Sequence, residues 1–198
     1  MNSSVQVTDS GTVAGSGTDT AAGTEDAGGF GYRPVRTGVP GGVARFTVTS
    51  PDLADGGAFP AEAWAAAFGC SGANRQIGLE WSGAPQGTRS YAVTMFDPDA
   101  PTGAGFWHWL TWDLPADSTG LDSGLPAGAV AGTSDSGGTG YFGPCPPVGD
   151  LLHHYEINVY ALDVPSLHLP ADTPPTVTAF TMAGHIIGHA RLTATARR

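Results

Sequence analysis

A chain of 198 residues that is 40% hydrophobic can build one domain with a sizeable core, and no second domain is needed to account for it. Its formal charge of −10 repels phosphate backbones and anionic lipid surfaces, which excludes generic nucleic-acid binding and electrostatic membrane docking. Any anion must therefore be held by local groups, and the 30 glycines and 16 prolines point to a mostly β chain of short strands joined by turns.

Residues 1–40 are dominated by Gly, Ser, Thr, Ala and Asp, with little apolar surface to offset ordering, and read as a flexible tail ahead of a domain over 41–198. The start Met1 to Val13 has neither the basic segment nor the apolar run of a secretion leader, and no stretch approaches the ~20 apolar residues of a spanning helix. Two cysteines, Cys70 and Cys145, are too few for a disulfide framework. The expectation is a cytoplasmic protein with free thiols.

Val43 to Thr49 alternates as a strand. Pro60 to Gly69, with Pro early and Gly at its end, predicts a short helix burying Trp64 and Phe68 on one face. Ile77 to Trp81 and Ser90 to Asp97 predict strands, the second with Tyr91, Val93 and Met95 on one side and Ala92, Thr94 and Phe96 on the other. Trp107 to Leu114 is a third, and the short linker Pro98 to Phe106 puts Asp97 near His108. Ala116 to Phe142, rich in Gly, Ser and Asp, reads as a long functional or mobile loop. His154 to Asp163 follows as a strong strand, and Thr176 to Ala196 is read as helical.

Two cassettes carry the chemistry. In Asp97-Pro98-Asp99-Ala100-Pro101 each proline lacks an N–H and pushes its predecessor out of the α region, so two carboxylates stand on a stiff corner beside His108. In Gly143-Pro144-Cys145-Pro146-Pro147-Val148-Gly149-Asp150 glycines allow close backbone approach and prolines fix a wall. The strand that follows projects His153 and Tyr155 from one face and His154 from the other. Gly138-x-Gly140-x-x-Gly143 imitates a dinucleotide fingerprint, but Pro144, Pro146 and Pro147 forbid the helix it needs. His185-x-x-x-His189 has zincin spacing without the Glu base and reads as packing.

Together with Cys70-Ser71-Gly72-Ala73-Asn74 and Leu79-Glu80-Trp81-Ser82-Gly83-Ala84-Pro85, these cassettes resemble the phosphatidylethanolamine-binding protein family, in its bacterial and archaeal Raf-kinase-inhibitor-like branch, from about Arg45 to Leu192. The resemblance implies one domain with a large antiparallel sheet, a small second sheet and a few peripheral helices. It also implies a shallow anion pocket of Asp97, His108, Pro146, Pro147, His153 and Tyr155, with backbone from Gly143 and Cys145, and makes Ala100–Pro101 a candidate cis bond. His154 stands where Arg usually follows the motif His, and Cys145 where Gly is common, and the first weakens any transfer of kinase inhibition.

The function expected is non-enzymatic binding of phosphate or a phosphorylated, phospholipid-type head group. His108, His153 and the Tyr155 hydroxyl donate, Asp97 keeps a histidine protonated, and Asp99, Ala100 and Pro101 brace the corner. No cofactor or metal is read into the chain. The alternatives are a metal-dependent or acid/base hydrolase using Asp97, Asp99, His108 and His153, and an inhibitor of a kinase or protease acting through the Ala116–Phe142 loop, with a protein partner or homodimer left open.

Overall fold

The computed structural model describes residues 38–198, so the expected tail lies, up to residue 37, outside the described residues. Among the described residues the strands in chain order are β1 (Ala44–Arg45), β2 (Thr47–Thr49), β3 (Gly57–Ala58), β4 (Leu79–Ser82), β5 (Ser90–Asp97), β6 (Phe106–Pro115), β7 (Gly120–Leu121), β8 (Val130–Ala131), β9 (His153–Leu162) and β10 (Ile186–Ala196), with one α-helix, α1 (Pro175–Ala183). Seven strands make a large sheet in the order β1-β10-β9-β5-β6-β8, with β3 also on β10, and β2-β4-β7 make a small one. The long strands pair antiparallel as expected, but β1 and β3 run parallel to β10, so the large sheet is mixed.

Every residue of β5 is buried because both faces of the sheet are covered. Tyr91, Val93 and Met95 pack with Ile157, Val159 and Leu192 against Val48, Leu79 and Trp81 of the small sheet. Ala92 and Phe96, on the opposite face, pack with Trp112, Tyr160 and Leu162 against Leu167 and Met182. The expected strand Val43–Thr49 breaks at Phe46, and β1 and β2 on either side belong to different sheets.

Two expectations of helix are overturned. Pro60–Gly69 is not a helix: only Ala61–Ala63 makes a 3-10 turn, and Phe68 is 67% exposed, not buried beside Trp64. The backbone there bonds elsewhere, Ala65 N–H to Pro144 O and Asn74 N–H to Trp64 O, and these tertiary bonds override helix propensity. Residues 176–196 are helical only as far as Ala183. Ile186–Ala196 is an inner strand of the large sheet, with Ala190, Leu192, Ala194 and Ala196 buried at period two. His185 therefore never shares a helix with His189, and each bonds its own partner, Asp163 and Asn158. The Ala116–Phe142 loop is stitched to β6 by Gly132 N–H to Leu110 O, Asp135 N–H to Trp107 O and Phe142 N–H to His108 O.

The free thiols are also overturned. Cys70 and Cys145 form a disulfide across a separation of 75 residues, because the Pro60–Asn74 segment folds onto the Pro144–Pro147 wall. A loop of that length gives about 4 kcal/mol of stabilisation in the chain-entropy view. Reduction, or the paired change Cys70→Ser/Cys145→Ser, is expected to lower Tm by roughly 10 °C, and an unchanged Tm in scanning calorimetry would contradict this.

Candidate anion site

The Asp97 corner closes on itself and on β9. Asp97 Oδ1 accepts from the Asp99 N–H at 2.9 Å, an Asx-type turn, and Asp99 Oδ2 accepts from the His154 N–H at 2.8 Å and pairs with its Nδ1 at 2.9 Å. The Ala100–Pro101 bond, a candidate cis bond by resemblance, is trans. The corner already reverses direction through the Thr102 N–H to Ala100 O bond and needs no cis isomer, which even before proline is the less stable form.

Pairing in the large sheet brings the end of β5 beside the start of β9, and β9 turns His153 and Tyr155 inward and leaves His154 exposed. His153 Nδ1–H donates to Asp97 Oδ2 at 2.7 Å, with 1% and 3% of the two side chains exposed. Its Nε2–H donates to Asp150 Oδ2 at 3.3 Å. Burial opposes charge on this imidazole, but the hydrogen bonds and charges of Asp97 and Asp150 outweigh it and raise its pKa. Asp150 is the residue that sequence reasoning left out of the site. Its signal was the Asp150-x-x-His153 spacing, which needed the turn through Pro147 to become a contact.

His108 behaves differently. Its Nδ1–H donates to Phe142 O at 3.0 Å and to Gly143 O at 3.2 Å, so the neutral ring presents Nε2 as an acceptor that bonds no described residue. Burial holds its pKa down at about 4, against opposing pulls from Asp97 and the two carbonyls. The Tyr155 hydroxyl is fully buried and no described residue meets it in hydrogen-bonding geometry, although the Asp97 carboxylate and the Cys145 backbone lie near it, and its ring lies 5.0 Å from that of His108. Burial, then the nearby Asp97 charge, pushes the phenol pKa far up, so it remains a donor.

The wall is held from outside. Gly143 N–H donates to Asn74 Oδ1 at 2.8 Å, Asn74 Nδ2–H donates to Tyr141 O at 3.1 Å, and the Tyr141 hydroxyl donates to Ala63 O at 3.0 Å. A Cβ at Gly143 would lie 2.1 Å from Ala63 O, so this approach requires glycine. Pro146 is buried, while Pro147 is exposed and its carbonyl accepts from Asp150 N–H in the turn that presents Asp150 to His153. Cys145 is half-buried beside Tyr155 and joined to Cys70. An open groove of about 780 Å³ on the outer face of the small sheet, along Thr47, Thr49, Glu80 and Asp122, contains none of these groups.

What the cluster can do follows from these roles. His153 spends both ring nitrogens on carboxylates, and the groups left for a ligand are a phenol donor and one imidazole nitrogen. That set suits an oxyacid that brings a proton of its own.

Residues 49–197 match the family model described as phosphatidylethanolamine-binding protein. The UPF0098 protein YbcL of Escherichia coli is 40% identical over 158 residues, covering 76% of this chain and 86% of YbcL. A UPF0098 protein of Methanothermobacter thermautotrophicus is 42% identical over 138 residues, covering 66% of this chain and 88% of that protein. The crystal structure of E. coli YbcL, described as a new member of the mammalian PEBP family, superposes with a TM-score of 0.76 at 37% identity over 78% of this chain and 99% of that one.

Two buried histidines set the acid stability. Burial lowers His108 and, with the charges of Arg45 and Arg191, His189 to about 4 from an ordinary value of 6.5. The unfolded chain therefore binds protons first, and their contribution, present above pH 6.5, is lost as pH falls towards about 4. His153 has the opposite sign: its contribution is full below pH 6.5 and is lost as pH rises through its raised folded value. Tm measured by circular dichroism is expected to drop as pH is lowered from about 6.5 to about 4, and a flat Tm across that window would contradict the assignment.

Proposed function

The chain belongs to the phosphatidylethanolamine-binding protein family, and from that premise we propose that it binds phosphate or a phosphate monoester head group without transforming it. The observation that carries this reading is the Tyr155 hydroxyl, buried with no acceptor in hydrogen-bonding geometry among the described residues, on a ring 5.0 Å from that of His108, whose Nε2 is unbonded there. An orphaned buried donor costs about 1–3 kcal/mol, which an acceptor arriving from outside recovers. A phosphate oxygen beside Tyr155 accepts its proton, and a phosphate O–H donates to His108 Nε2, or His108 takes that proton as the anion arrives.

The local charge supports one protonation state over another. Tyr155 and the neutral His108 bring no positive charge, and the Asp97 carboxylate acts on both, so a fully ionised phosphate gains little from these two groups. A monoanion carries less charge and brings the proton Nε2 lacks. Asp97 and Asp150 serve His153 and fix its ring, and Asp99 ties the corner to β9. His153 in turn packs on the Tyr155 ring, with centroids 6.4 Å apart and planes inclined by 28°.

The family description names a phospholipid head group, which places phosphoethanolamine among the probes to test. The Cys70–Cys145 bond favours an oxidising compartment as the place of work, since glutathione-buffered cytoplasm keeps most thiols reduced.

Titration calorimetry with inorganic phosphate separates this reading from a purely structural cluster. Tyr155→Phe removes the orphaned hydroxyl and keeps the ring, so it should leave Tm unchanged or slightly raised while weakening phosphate binding by about tenfold. Unchanged affinity in that variant would remove the site. Because one proton is shared on binding, affinity should fall roughly tenfold or more between about pH 5.5 and about pH 8, and a flat profile would exclude the proton-sharing arrangement.

A further inference from the structure

Phe68 is not explained by packing of the core. It is 67% exposed and occupies the first central position of the turn Ala67–Cys70, closed by the Cys70 N–H to Ala67 O bond at 2.9 Å. Phe68 has φ of 53° and Gly69 has φ of 78°, the signs of a type I′ turn, in which Asn, Asp or Gly is relaxed and a bulky side chain is strained. The chain thus holds a large aromatic in solvent on a backbone that disfavours it.

The ring is nevertheless firmly placed relative to the anion site. Its turn ends in Cys70, bonded to Cys145 of the pocket wall, and Arg198 Nη1 lies 3.2 Å from the Cys70 sulfur. Phe68 meets Phe142 edge to face at 5.6 Å, Phe142 stacks on His108 at 5.8 Å with a 22° angle, and Phe106 lies 4.7 Å from His108. A continuous row of rings therefore runs from solvent to the His108 imidazole. Aromatic faces beside an acid-binding group select an acid that carries an apolar ring of its own.

We propose that Phe68 and Phe142 form an aromatic subsite that makes the preferred ligand a phosphate monoester of an aromatic alcohol, not free phosphate or a phosphate with a polar substituent. This rests on the anion site proposed above. The acid group engages Tyr155 and His108, and the aryl group leaves past Phe142 to lie against Phe68. An edge-to-face contact with each of two rings supports about a tenfold gain in affinity over inorganic phosphate.

Calorimetric titration of the intact disulfide-bonded protein with inorganic phosphate, phenyl phosphate and phosphoethanolamine tests this. Phenyl phosphate is expected to bind about tenfold more tightly than the other two. Phe68→Asn, which relaxes the turn and so preserves folding, should lose most of that advantage while its affinity for inorganic phosphate stays the same. Equal binding of phenyl phosphate and phosphate to the wild type overturns the subsite, as does an undiminished advantage in Phe68→Asn. Tighter binding of phosphoethanolamine than of phenyl phosphate overturns it in favour of a lipid-type head group. If none of the three binds the wild type, the anion site itself falls and the subsite with it.

Discussion

The bond from His153 to Asp97, 2.7 Å long and almost wholly out of water, joins the end of β5 to the start of β9 and organises everything near it. Burying a charged pair is costly, and apolar side chains of similar size would often serve stability as well. The geometry recovers part of that cost by using each atom twice. Asp97 Oδ2 takes His153 while Oδ1 takes the Asp99 amide, and His153 Nε2–H reaches Asp150. The pair thereby fixes the Asp97 corner, the turn through Asp150, and the tilt of the ring that packs on Tyr155.

A second constraint acts on the other side of the cluster. The Pro60–Asn74 segment gives up the helix its composition favours and lends its polar groups to the wall: Asn74 to Gly143 and Tyr141, Ala63 O to Tyr141, Ala65 N–H to Pro144. Those bonds bring Phe142 O and Gly143 O within reach of His108 Nδ1, which fixes the tautomer and leaves Nε2 as the acceptor. The disulfide then closes what the hydrogen bonds have aligned. Carboxylates thus shift one histidine towards its charged form and burial shifts the other towards its neutral form, though both lie in the same buried cluster.

Much of this was legible in the sequence where one local rule decided the outcome. Ser90–Asp97 reads as a strand whichever face is considered, since both faces are apolar and both are buried. The alternation His153, His154, Tyr155 placed two side chains inward and one outward without reference to anything distant. The failures are residues whose state is set by a remote partner. Ala190, Ala194 and Ala196 suit a helix, and they became strand because β9 on one side and β1 and β3 on the other offered pairing along Ile186–Ala196. Cys70 and Cys145 are 75 residues apart, and only the docking of the Pro60–Asn74 segment on the Pro144–Pro147 wall brings them within bonding range. Asp150 was visible as a residue but not as a partner, because the turn at Pro147 decides where its carboxylate points.

The kind of donor left for a ligand carries the remaining argument about selectivity. A site built on arginine keeps its charge at every physiological pH and meets a fully ionised phosphate in a bidentate grip. Here the free groups are a phenol whose pKa is pushed up and an imidazole whose pKa is pushed down, both by burial, beside two carboxylates already engaged with His153. Such a set returns little Coulomb energy for added negative charge, so under the proposed function it would discriminate by protons and by shape. The chain as a whole points the same way: at a formal −10 it does not draw anions in by its field. In the function proposed, what distinguishes one acid from another then lies in the proton the ligand carries and in the apolar surface it presents to the rings of Phe142 and Phe68.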